Sequence, residues 1–316
     1  MDFKTILVIR LDEIGDMVTT LPVFEALKHQ FPQTKLTLWC QKSTFGLVQN
    51  NPFIDLIVCD KKDLRQPIFD LIIDLRGHWQ GIQFALKHPP KYRLDRGTIR
   101  LKDKWHKRPH LHEVLINFEI LKPILNQIPR QPTLKLYPSK RNEQVADLFL
   151  QRLGISHFAI FHTGARKLLR RWSIKSFVEV AEFLHQNQGL DIVFVGTSDE
   201  QFDIKNIQDK ISFPTFSFAG EGTLMDFAAL ASKAALMIGN ESGPMHIAAA
   251  ANIPVLGLFG PGEPHIFSPV GQKATYIHHK LECNPCDQIH CKYPKNPCMN
   301  RITVDEVLQK IKDLGL

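Results

Sequence analysis

The sequence predicts an α/β protein made of two Rossmann-like halves, each with a parallel sheet. Short apolar segments with strand character alternate with helical segments along the whole chain, which is the pattern of βαβ units. A chain of 316 residues is long enough for two domains of ordinary size. Residues 128–141, IPRQPTLKLYPSKR, are rich in proline and basic residues, which is typical of a linker. We therefore expect one domain at residues 1–140 and a second at residues 141–316.

The first half contains the elements of one such domain. Short apolar or alternating runs predict strands at residues 6–9, 35–39, 56–59 and 71–74. Helical spacing predicts helices at residues 17–30 and 112–125. Pro22 lies within the first of these helices, where proline is tolerated only near the start or as a kink.

The second half repeats the scheme. Strands are predicted at residues 158–161, 192–195, 235–238 and 255–259. Helices are predicted at residues 142–153, 174–188, 200–209, 224–231, 245–251 and 304–313. The terminal helix is a candidate to pack back on the N-terminal domain.

Composition excludes several classes of protein. With 44% hydrophobic and 22% charged residues, the chain is neither disordered nor collagen-like. No run of 18 apolar residues occurs, which excludes a transmembrane helix. The N-terminal residues lack a cationic leader followed by an apolar core, so we expect a cytosolic protein without disulfides. The net charge of +7 favours anionic partners, namely nucleic acid, acidic lipid surfaces, or phosphorylated or carboxylated substrates.

Several common motifs are absent. No GxGxxG follows a strand and no GxxxxGK[ST] occurs, which disfavours dinucleotide oxidoreductases and P-loop NTPases. The GxSxG elbow and the HExxH motif are absent as well.

The most informative motif is IGNESGPMHIAAA at residues 238–250, where a strand leads into an alanine-rich helix. Ser242 suits the N-cap and Pro244 the first turn, while Gly243 allows close approach of a ligand to the backbone. The N–H groups and dipole of such a helix favour an anion, and His246 could donate to a phosphate oxygen. A well-capped buried helix is the alternative interpretation.

A second candidate is FHTGARKLLRRWS at residues 161–173, which follows a strand and leads to a helix capped by Ser173. Thr163 lies at the carboxyl end of that strand, where open α/β sheets bind ligands. Basic residues crowd the loop, and Arg170 and its neighbours could neutralise a pyrophosphate. A solvated basic loop is the alternative.

A third candidate is RLDEIGDMVTTLP at residues 10–22, directly after the first strand. The loop carries Asp12, Glu13 and Asp16, and Gly15 permits a tight turn. A carboxylate there could cap a helix or act as a general base, and composition does not choose between the two.

Four cysteines lie within a short stretch near the C-terminus. They are Cys283, Cys286, Cys291 and Cys298. Thiolates at tetrahedral positions could hold zinc, but the spacings are not those of a standard ribbon or finger. Buried thiols or a redox pair remain alternatives, so these residues are weak metal-ligand candidates.

A basic segment covers residues 87–108 and includes Arg96, Arg100 and Lys104. It could bind nucleic acid or an anionic membrane surface, although no RNA-recognition or helix-turn-helix signature is present. A solvated loop is again the alternative.

Taken together, these segments resemble glycosyltransferase family 9, the heptosyltransferases of bacterial lipopolysaccharide synthesis. The three loop motifs, the cysteine-rich segment and ITVDEVLQKI at residues 302–311 occur in the order typical of that family. The resemblance implies a GT-B architecture, with two Rossmann-like domains of parallel sheets facing a central cleft. The C-terminal domain would bind an ADP-sugar donor and the N-terminal domain the acceptor.

The resemblance also implies roles for individual residues. Asp16 matches the general-base position, Glu200 a ribose contact, and Glu241 a contact to the sugar hydroxyls. The residues expected to contact the diphosphate are Thr163, Arg170, Ser242, Gly243 and His246. Glu241 stands where the family usually has aspartate and is one methylene longer, so we expect this position to affect which sugar is preferred. Arg170 replaces a lysine and Ser173 a proline.

The function implied is inverting, metal-independent transfer of heptose from ADP-heptose to a lipopolysaccharide core or related surface glycan, with no cofactor. The acceptor would be an anionic, lipid-linked or core oligosaccharide at the inner membrane, with Arg96, Arg100 and Lys104 as candidate contacts. We expect a cytoplasmic monomer in peripheral contact with that membrane and no nucleic-acid partner. The alternatives are a GT-B transferase using another nucleotide sugar, such as a UDP-sugar, and a non-catalytic nucleotide-binding protein.

Overall fold

The computed structural model describes residues 2–64, 68–99, 101, 110–130, 132–295 and 297–316. They form two compact units, Met1–Tyr137 and Pro138–Leu316, called here the N-terminal and C-terminal units. The division falls inside the proline-rich segment at residues 128–141. Within the described part of the chain, no helix is both long and apolar enough to cross a bilayer.

The N-terminal unit is built on five parallel strands in the order β3-β2-β1-β4-β5. They are β1 Thr5–Arg10, β2 Lys35–Cys40, β3 Leu56–Val58, β4 Leu71–Asp74 and β5 Tyr92–Asp95. The central strands are covered on both faces, so they read as continuous apolar runs. This is the order of a doubly wound sheet, and its direction of winding reverses between β1 and β4.

The helices of this unit include α1 Ile14–Gln30, α2 Lys42–Val48, α3 Trp79–Lys87 and α4 Glu113–Leu121. Helix α1 begins three residues earlier than the sequence predicted, so Pro22 lies in its interior. The helix still continues to Gln30, because Pro22, Phe24 and Leu27 are all buried against the unit. Helices α2 and α3 and strand β5 were missed.

The C-terminal unit contains a six-stranded parallel sheet in the order β11-β10-β9-β6-β7-β8. The strands are β6 Phe158–His162, β7 Asp191–Phe194, β8 Phe216–Ser217, β9 Leu236–Asn240, β10 Val255–Phe259 and β11 Ala274–His278. This sheet has the same doubly wound order, and its winding reverses between β6 and β9.

The helices of the C-terminal unit surround this sheet. They are α5 Lys140–Leu153, α6 Ile174–Gln188, α7 Gln201–Gln208, α8 Leu224–Ala231, α9 Gly243–Ala250, α10 Pro264–Phe267 and α11 Val304–Asp313. Ser173 caps α6 as predicted, accepting a hydrogen bond from the Ser176 amide.

The terminal helix α11 belongs to the C-terminal unit and packs on α6. Val307 and Ile311 are part of that unit's hydrophobic core, and the Trp172 indole donates a hydrogen bond to the Ile302 carbonyl at 3.0 Å. The apolar side of this helix is thus buried at least in part within its own unit, and packing on the N-terminal domain stays a prediction.

Candidate active site

A set of polar side chains in the C-terminal unit gathers where the sheet reverses, at the carboxyl ends of β6 and β9. Asn240, the last residue of β9, is buried and contacts the loop between β6 and α6. Its side-chain Nδ2 donates to the Thr163 carbonyl at 2.8 Å, and its side-chain Oδ1 accepts from the backbone amide of Trp172 at 3.0 Å. Asn240 therefore holds the loop after β6, and the backbone just before α6, to the end of β9. Sequence reasoning quoted Asn240 but assigned it no role.

The N-terminus of α9 opens into this loop cluster. Ser242 is the N-cap residue as predicted, but its side chain makes no capping hydrogen bond. Its hydroxyl instead donates to the Asn240 carbonyl and lies 2.9 Å from Nδ1 of His162. Because Ser242 does not occupy the first-turn N–H groups, the helix end retains the donors and dipole that suit an anion. His246 is buried in the same turn.

Glu200 lies beside the β6 loop, in a short 3-10 turn before α7 and not within the predicted helix. Its carboxylate accepts from the Thr197 amide at 2.9 Å, and Nε2 of His162 lies 3.8 Å away. The interaction with His162 lowers the pKa of Glu200 to about 2, so the group is ionised at neutral pH. A Cβ on Gly164 would overlap the carboxylate, so a side chain at this position would displace Glu200.

Arg170 and Glu241 form an ion pair at this site. Nη1 of Arg170 lies 3.1 Å from Oε1 of Glu241, while Nε donates to Oε1 of Gln288 at 2.7 Å. Burial raises the pKa of Glu241, and the Arg170 charge opposes that rise. Oε2 of Glu241 is buried and has no hydrogen-bond partner among the described residues. A Cβ on Gly262 would lie 1.8 Å from that oxygen.

Asp16 lies in the N-terminal unit, in the first turn of α1, where that sheet reverses beside β1. The fully buried Arg10 guanidinium contacts Oδ1 of Asp16 at 3.2 Å and Oε1 of Glu113 at 2.9 Å. Burial raises the pKa of Asp16, Arg10 opposes the rise, and the charges of Asp12 and Glu113 add to it. The Asp16 side chain is 19% exposed, so a ligand can reach it.

Arg10 contacts both Asp16 and Glu113. The sequence alone did not single out either Arg10 or Glu113. Arg96 makes a two-pronged contact with Glu113 and is only 11% exposed, so its charge is largely neutralised within the unit. It therefore adds little to an exposed basic surface. Arg100 and Lys104 lie outside the described residues.

The four C-terminal cysteines line one cavity in the C-terminal unit. All are free thiols, and burial raises the pKa of Cys298. Within the described ranges, no group of three or more His, Cys, Asp or Glu side chains is placed to hold a metal ion.

The two doubly wound units define an α/β protein of the GT-B class. The open helix N-terminus beside the Arg170 guanidinium is a candidate anion site. The family model of glycosyltransferase family 9 (heptosyltransferase) matches residues 60–296, well over half of the chain. The chain therefore belongs to glycosyltransferase family 9 and is a glycosyltransferase enzyme.

Individual relatives agree with this assignment. The lipopolysaccharide core heptosyltransferase OpsX of Haemophilus influenzae is 24% identical over 343 residues, covering 99% of this chain and 97% of the relative. A solved glycosyltransferase family 9 structure from Veillonella parvula matches at 20% identity with a TM-score of 0.86, covering 99% of this chain and 98% of that one. The ADP-heptose lipopolysaccharide heptosyltransferase II of E. coli matches at 19% identity with a TM-score of 0.78, covering 98% of both chains. The two structural matches show a shared fold.

Proposed function

We propose that this enzyme transfers heptose from ADP-heptose to a lipopolysaccharide core or a related surface glycan, with inversion at the anomeric carbon and without a metal ion. Family membership supports the transfer reaction, and the printed names of the relatives support the sugar and the acceptor class. The observation that carries the proposal is the pairing of an open helix N-terminus with Arg170 at the reversal point of the C-terminal sheet.

The donor would bind in the C-terminal unit. The diphosphate would accept hydrogen bonds from Ser242, Gly243 and His246 at the start of α9 and from Thr163 in the β6 loop. Arg170 would supply the opposite charge. The ionised Glu200 would accept hydrogen bonds from the ribose hydroxyls.

Glu241 would bind the hydroxyls of the transferred sugar. Its buried Oε2 has no hydrogen-bond partner among the described residues, and a sugar hydroxyl would provide one. The carboxylate is one methylene longer than the usual aspartate, so we expect this position to affect which sugar is preferred.

In the proposed reaction, Asp16 accepts the proton of the acceptor hydroxyl. The hydroxyl oxygen forms a bond to the anomeric carbon as the bond to the diphosphate oxygen breaks, and the electron pair leaves with ADP. The transition state has oxocarbenium character, and negative charge grows on the diphosphate. Arg170 and the α9 N-terminus would stabilise that charge. The elevated pKa of Asp16 suits a base that must take up a proton.

The decisive experiment is Asp16→Asn, assayed for product formation with ADP-heptose and a deep-truncated lipopolysaccharide acceptor. We expect at least about a hundredfold loss of kcat, the usual contribution of a general base, with ADP affinity unchanged in EDTA. Asp63→Asn, at an exposed position in the same unit, is the matched control. Retained turnover in Asp16→Asn would contradict the assignment of the base.

Binding of ADP and UDP separates the proposal from its alternatives. Calorimetry in EDTA should show a clear preference for ADP. Preference for UDP would keep the fold but assign a UDP-sugar donor, and binding of neither would favour a non-catalytic protein.

We propose that the acceptor is an anionic saccharide contacted by Arg100 and Lys104. Arg96 is a further candidate contact, but its charge is paired with Glu113, so the test addresses the other two. Replacing Arg100 and Lys104 by glutamine should raise the KM for the acceptor and leave the KM for the donor unchanged. An unchanged acceptor KM would refute this role.

We also propose a cytoplasmic monomer that touches the membrane surface peripherally. Trp79 is 63% exposed and Leu86 71% exposed, and both lie on α3 seven residues apart, which brings them to one side of the helix. Lys87 ends the helix and favours anionic lipid. The double variant Trp79→Ala/Leu86→Ala should bind anionic vesicles more weakly than Phe202→Ala, an equally exposed control in the C-terminal unit. Light scattering should give the molar mass of one chain, and a larger mass would contradict the monomer.

A further inference from the structure

The cysteine-rich segment, residues 281–298, extends to the donor-site arginine. Between β11 and the 3-10 turn that begins at Cys298, the described residues form no helix or strand. Irregular segments of this length are uncommon in a compact domain, where they are usually either functional or linkers. Here Oε1 of Gln288 accepts a hydrogen bond from Nε of Arg170 at 2.7 Å, across 118 residues of sequence.

Gln288, which makes this contact, has an unfavourable backbone conformation. Its φ is 62°, in the left-handed region that residues with a Cβ rarely adopt. The Gln288 amide donates to Sγ of Cys286 at 3.4 Å. Such conformations persist where surrounding contacts determine them, and they concentrate at functional sites.

The turn that carries Arg170 packs against the same segment. Leu169, the residue before Arg170, lines the cavity that Cys283, Cys286 and Cys298 also line. The Arg170 guanidinium is then oriented from two directions, by Gln288 at Nε and by Glu241 at Nη1. A guanidinium is planar, so two such contacts determine where its remaining N–H groups point.

We propose that Gln288 is a positioning residue for donor binding, which orients the Arg170 guanidinium toward the donor diphosphate. The cysteine-rich segment then serves to bring Gln288 to Arg170 and keep it there. This inference rests on the proposed role of Arg170 as a diphosphate contact. The effect of Gln288 should therefore depend on the second phosphate of the nucleotide and on the presence of Arg170.

The test is Gln288→Leu, which removes the acceptor oxygen. Ile289→Ala is the control, because Ile289 is the neighbouring residue and is exposed. Calorimetry measures affinity for ADP and for AMP, and steady-state kinetics give kcat and the KM values for donor and acceptor.

Gln288→Leu should weaken ADP binding by about three- to tenfold, the effect of one lost hydrogen bond, and raise the donor KM similarly. AMP affinity, acceptor KM and the melting temperature should stay close to wild type. Gln288→Leu should have no further effect in an Arg170→Gln background.

Three outcomes would overturn the inference while leaving the proposed function intact. The first is unchanged ADP affinity in Gln288→Leu although Arg170→Gln loses it. The second is an equal loss of affinity for ADP and AMP, and the third is a full additional loss in the Arg170→Gln background. Either of the last two would indicate general damage to the site. A wild-type protein that binds no ADP would instead refute the proposed function and remove the premise.

Discussion

Glu113 is predicted to stabilise the N-terminal unit through its two guanidinium partners, and Glu113→Gln removes the charge they share. Burial alone would raise the pKa of Glu113, but hydrogen bonds and charges from Arg96 and Arg10 outweigh it and lower the pKa to about 2. Oε2 accepts from Arg96 at 2.8 Å and Oε1 contacts Arg10 at 2.9 Å. The ordinary glutamate value is 4.5, and the difference corresponds to about 3 kcal/mol of stability at neutral pH.

The sign of the pH dependence follows from the direction of this shift. Because the folded pKa lies below the unfolded value, the stabilisation is fully present above pH 4.5 and is lost as pH falls toward 2. We expect Glu113→Gln to cost about 3 kcal/mol at pH 7.5 and roughly half of that at pH 3.

Native-state hydrogen exchange of the β1 amides measures this cost, because it reports the opening of that sheet separately from the other unit. Glu119→Gln is the matched control on the same helix: its ion pair with Lys122 is partly exposed, and we expect at most about 1 kcal/mol. A loss in Glu113→Gln below about 1 kcal/mol at pH 7.5, or one that does not shrink at pH 3, would refute the reasoning.

Three further predictions concern the two candidate sites. Asp16 must be ionised to act as a base, and burial raises its pKa. The acid limb of the pH profile of turnover should therefore lie at a higher pH than an ordinary aspartate would give. An acid limb at or below the ordinary aspartate range would argue against Asp16 as the base. Gly164→Ala should displace Glu200 and weaken ADP binding, measured by calorimetry. Gly46→Ala is the control, because a Cβ at Gly46 meets open space, and it should bind ADP normally. Equal affinities of the two variants would contradict the steric argument. Asn240→Leu should lower the melting temperature and the ADP affinity together. The free energy of unfolding should fall by about 2–3 kcal/mol, because buried polar groups are left unpaired. A variant as stable as wild type would show that Asn240 does not hold the loop after β6 to β9.

Local signals account for the elements that were predicted well. Helices α8 and α11 have the predicted bounds, because each begins with a capping box within four residues of sequence, Thr223 with Asp226 and Thr303 with Glu306. Strand β10 also has its predicted bounds, since a fully buried apolar run is unambiguous between turns.

The missed elements lacked such signals. Strands β5 and β11 lie at the edges of their sheets and are only partly buried, so neither shows a clean apolar run. Helix α3 is short and has no side-chain cap, and its exposed Trp79 and Leu86 interrupt the helical pattern.

The sequence by itself determined that the chain forms two doubly wound halves, and it predicted chemistry at the loops after β1, β6 and β9. It did so because strand burial, helix capping and glycine turns depend on neighbouring residues. Only the tertiary structure decided which charges meet. Arg10 finds Glu113 across 103 residues and Arg170 finds Gln288 across 118, while the Ser242 hydroxyl contacts His162 instead of capping its helix. Hydrogen bonds and ion pairs act over a few ångströms of space, and the fold alone brings such distant positions that close.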